Sequence, residues 1–147
     1  MQNSRYSAKE RRYTYLIRND ASPSVINFNR EWHVKKKIDV ELMKKGAKKL
    51  IGTKDFSTFR SSSCSAKTPV RTIKSIKFLT KQDIIEIEIK AQSFLQNQVR
   101  SMVGCLKYVG EDKWSIQKFD KIIKSKKRIY CAPPAPAEGL YLTKVIY

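Results

Sequence analysis

Ile73 to Thr80 (IKSIKFLT) and Ile84 to Ala91 (IIEIEIKA) are two runs of alternating apolar and polar residues, separated only by Lys81-Gln82-Asp83, and their reading decides the fold. In the second run Ile85, Ile87 and Ile89 oppose Glu86, Glu88 and Lys90. A pleated strand therefore sets branched apolar side chains on one face and charges on the other. The short polar link turns the chain back on itself, which predicts an antiparallel hairpin with one wet face.

On the N-terminal side, Arg12 to Arg18 (RYTYLIR) is rich in aromatic and branched residues and reads as a strand that ends in a turn at Asn19-Asp20 and Pro23. Alternation puts Tyr13, Tyr15 and Ile17 on one face and Arg12, Thr14, Leu16 and Arg18 on the other. From Asp39, the residues Val40, Met43, Ala47 and Leu50/Ile51 recur at helical spacing, with Asp39 as N-cap and Gly52 as C-terminal stop. Lys44, Lys45, Lys48 and Lys49 lie on the wet side of that helix. Asp55 to Phe59 (DFSTF) predicts a short helical turn capped by Asp55, and Arg60 to Thr72 reads as a long basic loop.

On the C-terminal side, Leu95, Val99, Met102, Val103, Leu106 and Val109 form a stripe of helical period that Gly110 is placed to stop. A second amphipathic helix runs from Ser115, its N-cap, through Ile116, Phe119, Ile122 and Ile123 into the basic run Lys124 to Arg128. Residues 131–139 (CAPPAPAEG) exclude regular structure, because prolines remove backbone donors and fix φ. LYLTKVIY closes the chain as a strand. With no internal repeat, the sum is one α+β domain over residues 1–147: a mixed, mainly antiparallel sheet with two or three helices on one side.

Lys and Arg number 31 against 13 Asp and Glu, a formal charge of +18. Such a field attracts polyanions, so nucleic acid is the first partner to consider. Cys64, Cys105 and Cys131 show no CxxC spacing, and His33 is the single histidine, so the pattern points to neither a disulfide framework nor a metal site. Met1 to Arg12 is polar and basic, without the apolar run of a signal peptide, and nowhere do 18 consecutive apolar residues occur; a cytoplasmic protein with no membrane contact is expected.

Four separated blocks, SAKERRYTYLI (7–17), GTKDFSTFR (52–60), SFLQNQVRSMVGCLKYVG (93–110) and APAEGLYLTKVIY (135–147), follow one another as in the C-terminal half of the TruA family of tRNA pseudouridine synthases. The resemblance covers nearly the whole chain. It implies conversion of uridine to pseudouridine in the anticodon arm of tRNA without cofactor or metal, in an enzyme expected to be a homodimer. Tyr13 matches the family tyrosine whose ring stacks on the target uridine, with Tyr15 as supporting packing. Arg11 and Arg12 become plausible phosphate contacts. Arg100 matches the family arginine that pairs with the catalytic aspartate. Helix geometry alone sets it about 60° beyond the edge of the apolar stripe, as an ordinary surface arginine; a guanidinium paired with a carboxylate would fix that group's orientation and keep it ionised.

One departure matters most. Family members carry the nucleophile in a G-R-T-D segment upstream of these blocks, and no such motif occurs in these residues. Gly52-Thr53-Lys54-Asp55 is superficially similar, but Phe56 follows it and Asp55 reads as a helix cap. Asn97 stands where many relatives have histidine. The expectation is a chain without the family's N-terminal, aspartate-bearing half, able to bind tRNA but inactive alone. A noncatalytic RNA-binding or ribosome-associated domain is the alternative.

Overall fold

The computed structural model describes residues 8–22 and 30–147. Pro23 and the start of the 7–17 block lie outside these residues. The hairpin forms as its alternation requires: β4 (Val70–Lys81) pairs antiparallel with β5 (Ile84–Ala91), Ile76 facing Ile89 and Phe78 facing Ile87. Gln82 takes the turn with φ 54°. β5 continues onto β1 (Glu10–Asn19), also antiparallel, with Tyr13 opposite Ile89, Tyr15 opposite Ile87 and Ile17 opposite Ile85. Tyr13, Tyr15 and Ile17 therefore share one face with the buried residues of β5, as the period of two demands.

The six-stranded sheet has the order β2-β1-β5-β4-β3, and β6 (Leu140–Ile146) also pairs with β1. Along the outer edge of β1, β6 runs antiparallel to Glu10–Tyr15, while β2 (Trp32–Val34) runs parallel to Ile17–Asn19. Two strands were not expected from the sequence. β2 is three residues long and pairs parallel with the last residues of β1; β3 (Gly52–Asp55) is short and polar and takes its register from β4, with Thr53 bonded to Thr72 at 2.7 Å.

Three helices cover the apolar face: α1 (Val40–Lys48), α2 (Gln98–Gly110) and α3 (Ile116–Ser125). Asp39 caps α1 through its Oδ1, which accepts from the amides of Glu41 and Leu42, and Ser115 caps α3 by accepting from Lys118. The expected Asp55 cap is corrected: Asp55 ends β3, Phe56 is the N-cap of the 3₁₀ turn Ser57–Phe59, and the Asp55 carboxylate accepts from the Ser57 amide at 2.8 Å. Met43, Leu106, Phe119, Phe59 and Tyr15 fill the space between helices and sheet, all fully buried.

The two predicted glycine stops fare differently. α1 ends at Lys48, and Gly52 opens β3 with φ 102°. Gly110 is the last residue of α2, where the sequence places the helix end, and it is buried: a Cβ there would sit 2.6 Å from Ile38 Cγ2 and 2.8 Å from Met43 Cγ. Close approach of α1, not helix termination, demands that glycine; the chain turns away two residues later at Asp112, φ 61°. No helix among the described residues is long and apolar enough to cross a membrane.

Candidate functional site

A cleft of about 520 Å³ opens where the start of α2 meets the end of β1 that pairs with β6. Arg11 and Tyr13 line it from β1, Leu140 from β6, and Phe94, Gln96, Asn97 and Arg100 from the approach to α2 and its first turn. The ring of Tyr13 stands edge-on to Phe94, centroids 5.2 Å apart and planes at 83°. Both rings are only partly buried, so an apolar surface remains open to the cleft. At Tyr13 the β1–β6 ladder shifts register: Arg12 faces Lys144 and Tyr13 faces Leu142, leaving Thr143 as the bulged residue. Its hydroxyl donates to the Arg12 carbonyl at 3.1 Å. Bulges of this kind bend a strand and re-aim the neighbouring side chain.

Arg100 is half-buried rather than splayed on the surface. Its Nε donates to the Ala135 carbonyl at 2.7 Å, and Nη1 lies 3.5 Å from Asn97 Oδ1, at the limit of a hydrogen bond. Asn97 itself is held left-handed at φ 63° in front of α2. With Nε occupied, the two terminal nitrogens are the part of the fork left to meet a ligand, and no carboxylate among the described residues pairs with them. A guanidinium so fixed is suited to orient an oxyanion or carboxylate brought into the cleft.

Tyr13, Arg100 and Arg11 thus come together. Arg11 is tied at one nitrogen to the Gln92 carbonyl, 2.8 Å away, and lines the cleft. Arg12 does not join them. Strand alternation sends it to the opposite face, where its Nε pairs with Glu10 at 2.5 Å; that bond, with help from Lys74, holds the Glu10 carboxyl below its usual value. Asp55 lies away from the cleft lining, at the end of β3. Partial burial pushes its carboxyl up, but the hydrogen bonds from Ser57 outweigh this and keep it below the ordinary range.

Sequence reasoning missed the segment 131–139 as part of the site. Its signal was there: three prolines in four positions leave carbonyls that no ladder uses, and Ala135 and Pro136 offer theirs to Arg100 and Tyr15. Among the described residues no group of three His, Cys, Asp or Glu side chains is arranged to hold a metal ion.

An aromatic face and an anchored guanidinium, in one open cleft of a strongly basic α+β domain, suit the reception of a nucleic-acid base, the class of ligand the charge already favours. Sequence comparison narrows that class. The family model described as tRNA pseudouridine synthase matches residues 47–147. Over 145 residues the chain is 62% identical to tRNA pseudouridine synthase A of Pelagibacter ubique, covering 99% of this chain and 59% of that protein. It is 44% identical over 144 residues to the protein of the same name from Parvibaculum lavamentivorans, covering 98% of this chain and 58% of the relative. The Brucella anthropi protein is 40% identical over 145 residues, 99% of this chain and 58% of its own length. The chain belongs to the tRNA pseudouridine synthase family, and it spans a little under three-fifths of the length of these relatives.

Proposed function

We propose that the full-length protein isomerises uridine to pseudouridine in the anticodon stem-loop of tRNA, and that this chain supplies the cleft wall that receives the base and orients the nucleophile. The observation that carries this reading is that Tyr13 and Arg100, matched to the family one by one, line the same cleft although 87 residues apart in sequence. In the reaction the N1 glycosidic bond breaks, the uracil turns, and C5 rejoins the ribose; N1 gains a proton and C5 loses one, so nothing else is consumed.

An aspartate carboxylate attacks the anomeric carbon or holds the positive charge developing there. No G-R-T-D segment occurs in these residues, so the nucleophile comes from the remainder of the full-length protein. Arg100 offers its terminal nitrogens to that carboxylate, keeping it ionised and aimed. Tyr13 and Phe94 give the extruded uracil an apolar surface that offsets lost stacking. Arg11 meets a flanking phosphate, and Arg12, on the other face, meets RNA only if the backbone wraps the sheet edge. The remaining half docks at the edge of β6, which among the described residues pairs only with β1 and leaves Leu142 53% exposed. The full-length protein works as a homodimer, in the cytoplasm where its tRNA is.

Incubating unmodified tRNA with the full-length protein and, separately, with this chain tests the reading. The full-length protein should form pseudouridine. The chain alone should bind tRNA, with affinity falling steeply as salt rises, and form none. Turnover by the chain alone would overturn the assignment of the nucleophile. Binding without turnover by the full-length protein would favour a noncatalytic RNA-binding role.

A further inference from the structure

Residues 131–139 cross from the flank of α2 to β1, and two consecutive carbonyls in their middle are both taken by the site. The Ala135 carbonyl accepts from Arg100 Nε at 2.7 Å, and the Ala135 amide donates back to the Arg100 carbonyl at 2.9 Å. One residue on, the Pro136 carbonyl accepts from the Tyr15 hydroxyl at 2.6 Å. Tyr15 is fully buried on the strand face it shares with Tyr13, two residues away. There is no slack along this path. A Cβ at Gly104 of α2 would sit 2.1 Å from the Pro133 carbonyl oxygen, and one at Gly139 would sit 2.7 Å from the Tyr15 ring.

We propose that Tyr15 is a positioning residue for Arg100, fixing the guanidinium, through the adjacent carbonyls of Pro136 and Ala135, in the cleft that Tyr13 also lines. This rests on Arg100 being a site residue. Pro136 has no N–H, so the peptide it shares with Ala135 offers only the carbonyl that Arg100 uses, and the Tyr15 bond to the next carbonyl ties residue 136 to the strand. A buried carbonyl deprived of its donor moves to find another, and here any movement drags Ala135 and, with it, Nε of Arg100. Burial first, and Glu138 second, push the Tyr15 hydroxyl well above its ordinary pKa, against the opposing pull of Arg100, so it stays a donor throughout the physiological range. A tyrosine that merely filled the core would lose nothing in turnover when only its hydroxyl oxygen was removed.

The test is a kinetic double-mutant cycle in the full-length protein with tRNA as substrate. Tyr15→Phe should lower kcat about tenfold, the share of one buried hydrogen bond, while KM for tRNA moves less than about twofold. In an Arg100→Lys background the same Tyr15→Phe change should alter kcat by less than about twofold, because the group it positions is already lost. Three results overturn the proposal: Tyr15→Phe with parental kcat, Tyr15→Phe losses that persist in full beside Arg100→Lys, or Tyr15→Phe that fails to fold. The two failures are distinguishable. If Arg100→Lys alone turns over like the parent, the reading of the site falls and this proposal with it; if Arg100→Lys is impaired and Tyr15→Phe is not, only the proposal falls.

Discussion

The two ends of α2 sit in opposite surroundings, one packed and one open. Toward the C-terminus, Val103, Leu106, Val109 and Gly110 are buried against α1 and the sheet, and Gly110 admits α1 so closely that a Cβ would collide with Ile38 and Met43. Toward the N-terminus, Asn97 and Arg100 face an open cleft; Arg100 is held by a backbone carbonyl and left with a fork to offer. Close packing at one end gives the other a rigid mount, which is what precise placement of a guanidinium needs. Stability and chemistry should therefore separate along one helix when its residues are changed.

The largest effect is expected at the packed end. Leu106→Ala removes a fully buried side chain and should cost about 2–5 kcal/mol of folding free energy, read from urea unfolding of the full-length protein. A loss below about 1 kcal/mol would mean that this end of α2 is not close-packed. Gly110→Ala sets two effects against each other: overpacking of about 1–3 kcal/mol against about 1 kcal/mol of helix propensity gained. Overpacking should win, because Ile38 is the nearer neighbour and its branched side chain has little room to rotate away. A stabilised Gly110→Ala protein would show that Ile38 and Met43 give way there and that close approach does not demand a glycine.

Across the cleft from α2, the Tyr13 ring should matter for holding RNA. Stacking contributes on the order of 1–3 kcal/mol per base, so Tyr13→Leu should weaken tRNA binding by that share while Tyr13→Phe preserves it. Binding and turnover are to be measured separately. Parental binding and turnover in a folded Tyr13→Leu protein would make Tyr13 a packing residue with no part in holding RNA. Normal binding but lost turnover in Tyr13→Phe would give its hydroxyl a part in the chemistry, as a proton carrier at C5.

The sequence showed the packed regions more plainly than the open one, for a physical reason. Burial imposes periods, and the β4–β5 alternation, the α2 stripe and the caps at Asp39 and Ser115 can each be read within one element. What depends on distant approach leaves no local period. β2 needs β1 beside it to be a strand at all, and Gly110 after an apolar stripe looks the same whether it ends a helix or admits another. Arg100 falls off the stripe on a helical wheel, yet a segment 35 residues later comes back to hold it. Periodicity alone left Arg100 an ordinary surface residue, and the structure shows an anchor that neither the period nor the resemblance had indicated.

The central claim is that the open end of α2 serves chemistry and not folding. Arg100→Lys in the full-length protein tests it, with single-turnover formation of pseudouridine, tRNA affinity and unfolding free energy measured on the same preparation. Lysine keeps the charge but loses the planar fork and the Nε bond. The expected result is a rate lower on the order of 100-fold, affinity within about threefold of the parent, and a stability loss no greater than about 1.5 kcal/mol. A parental rate, or a rate that falls only as far as stability and affinity do, would contradict the account and return Arg100 to the surface.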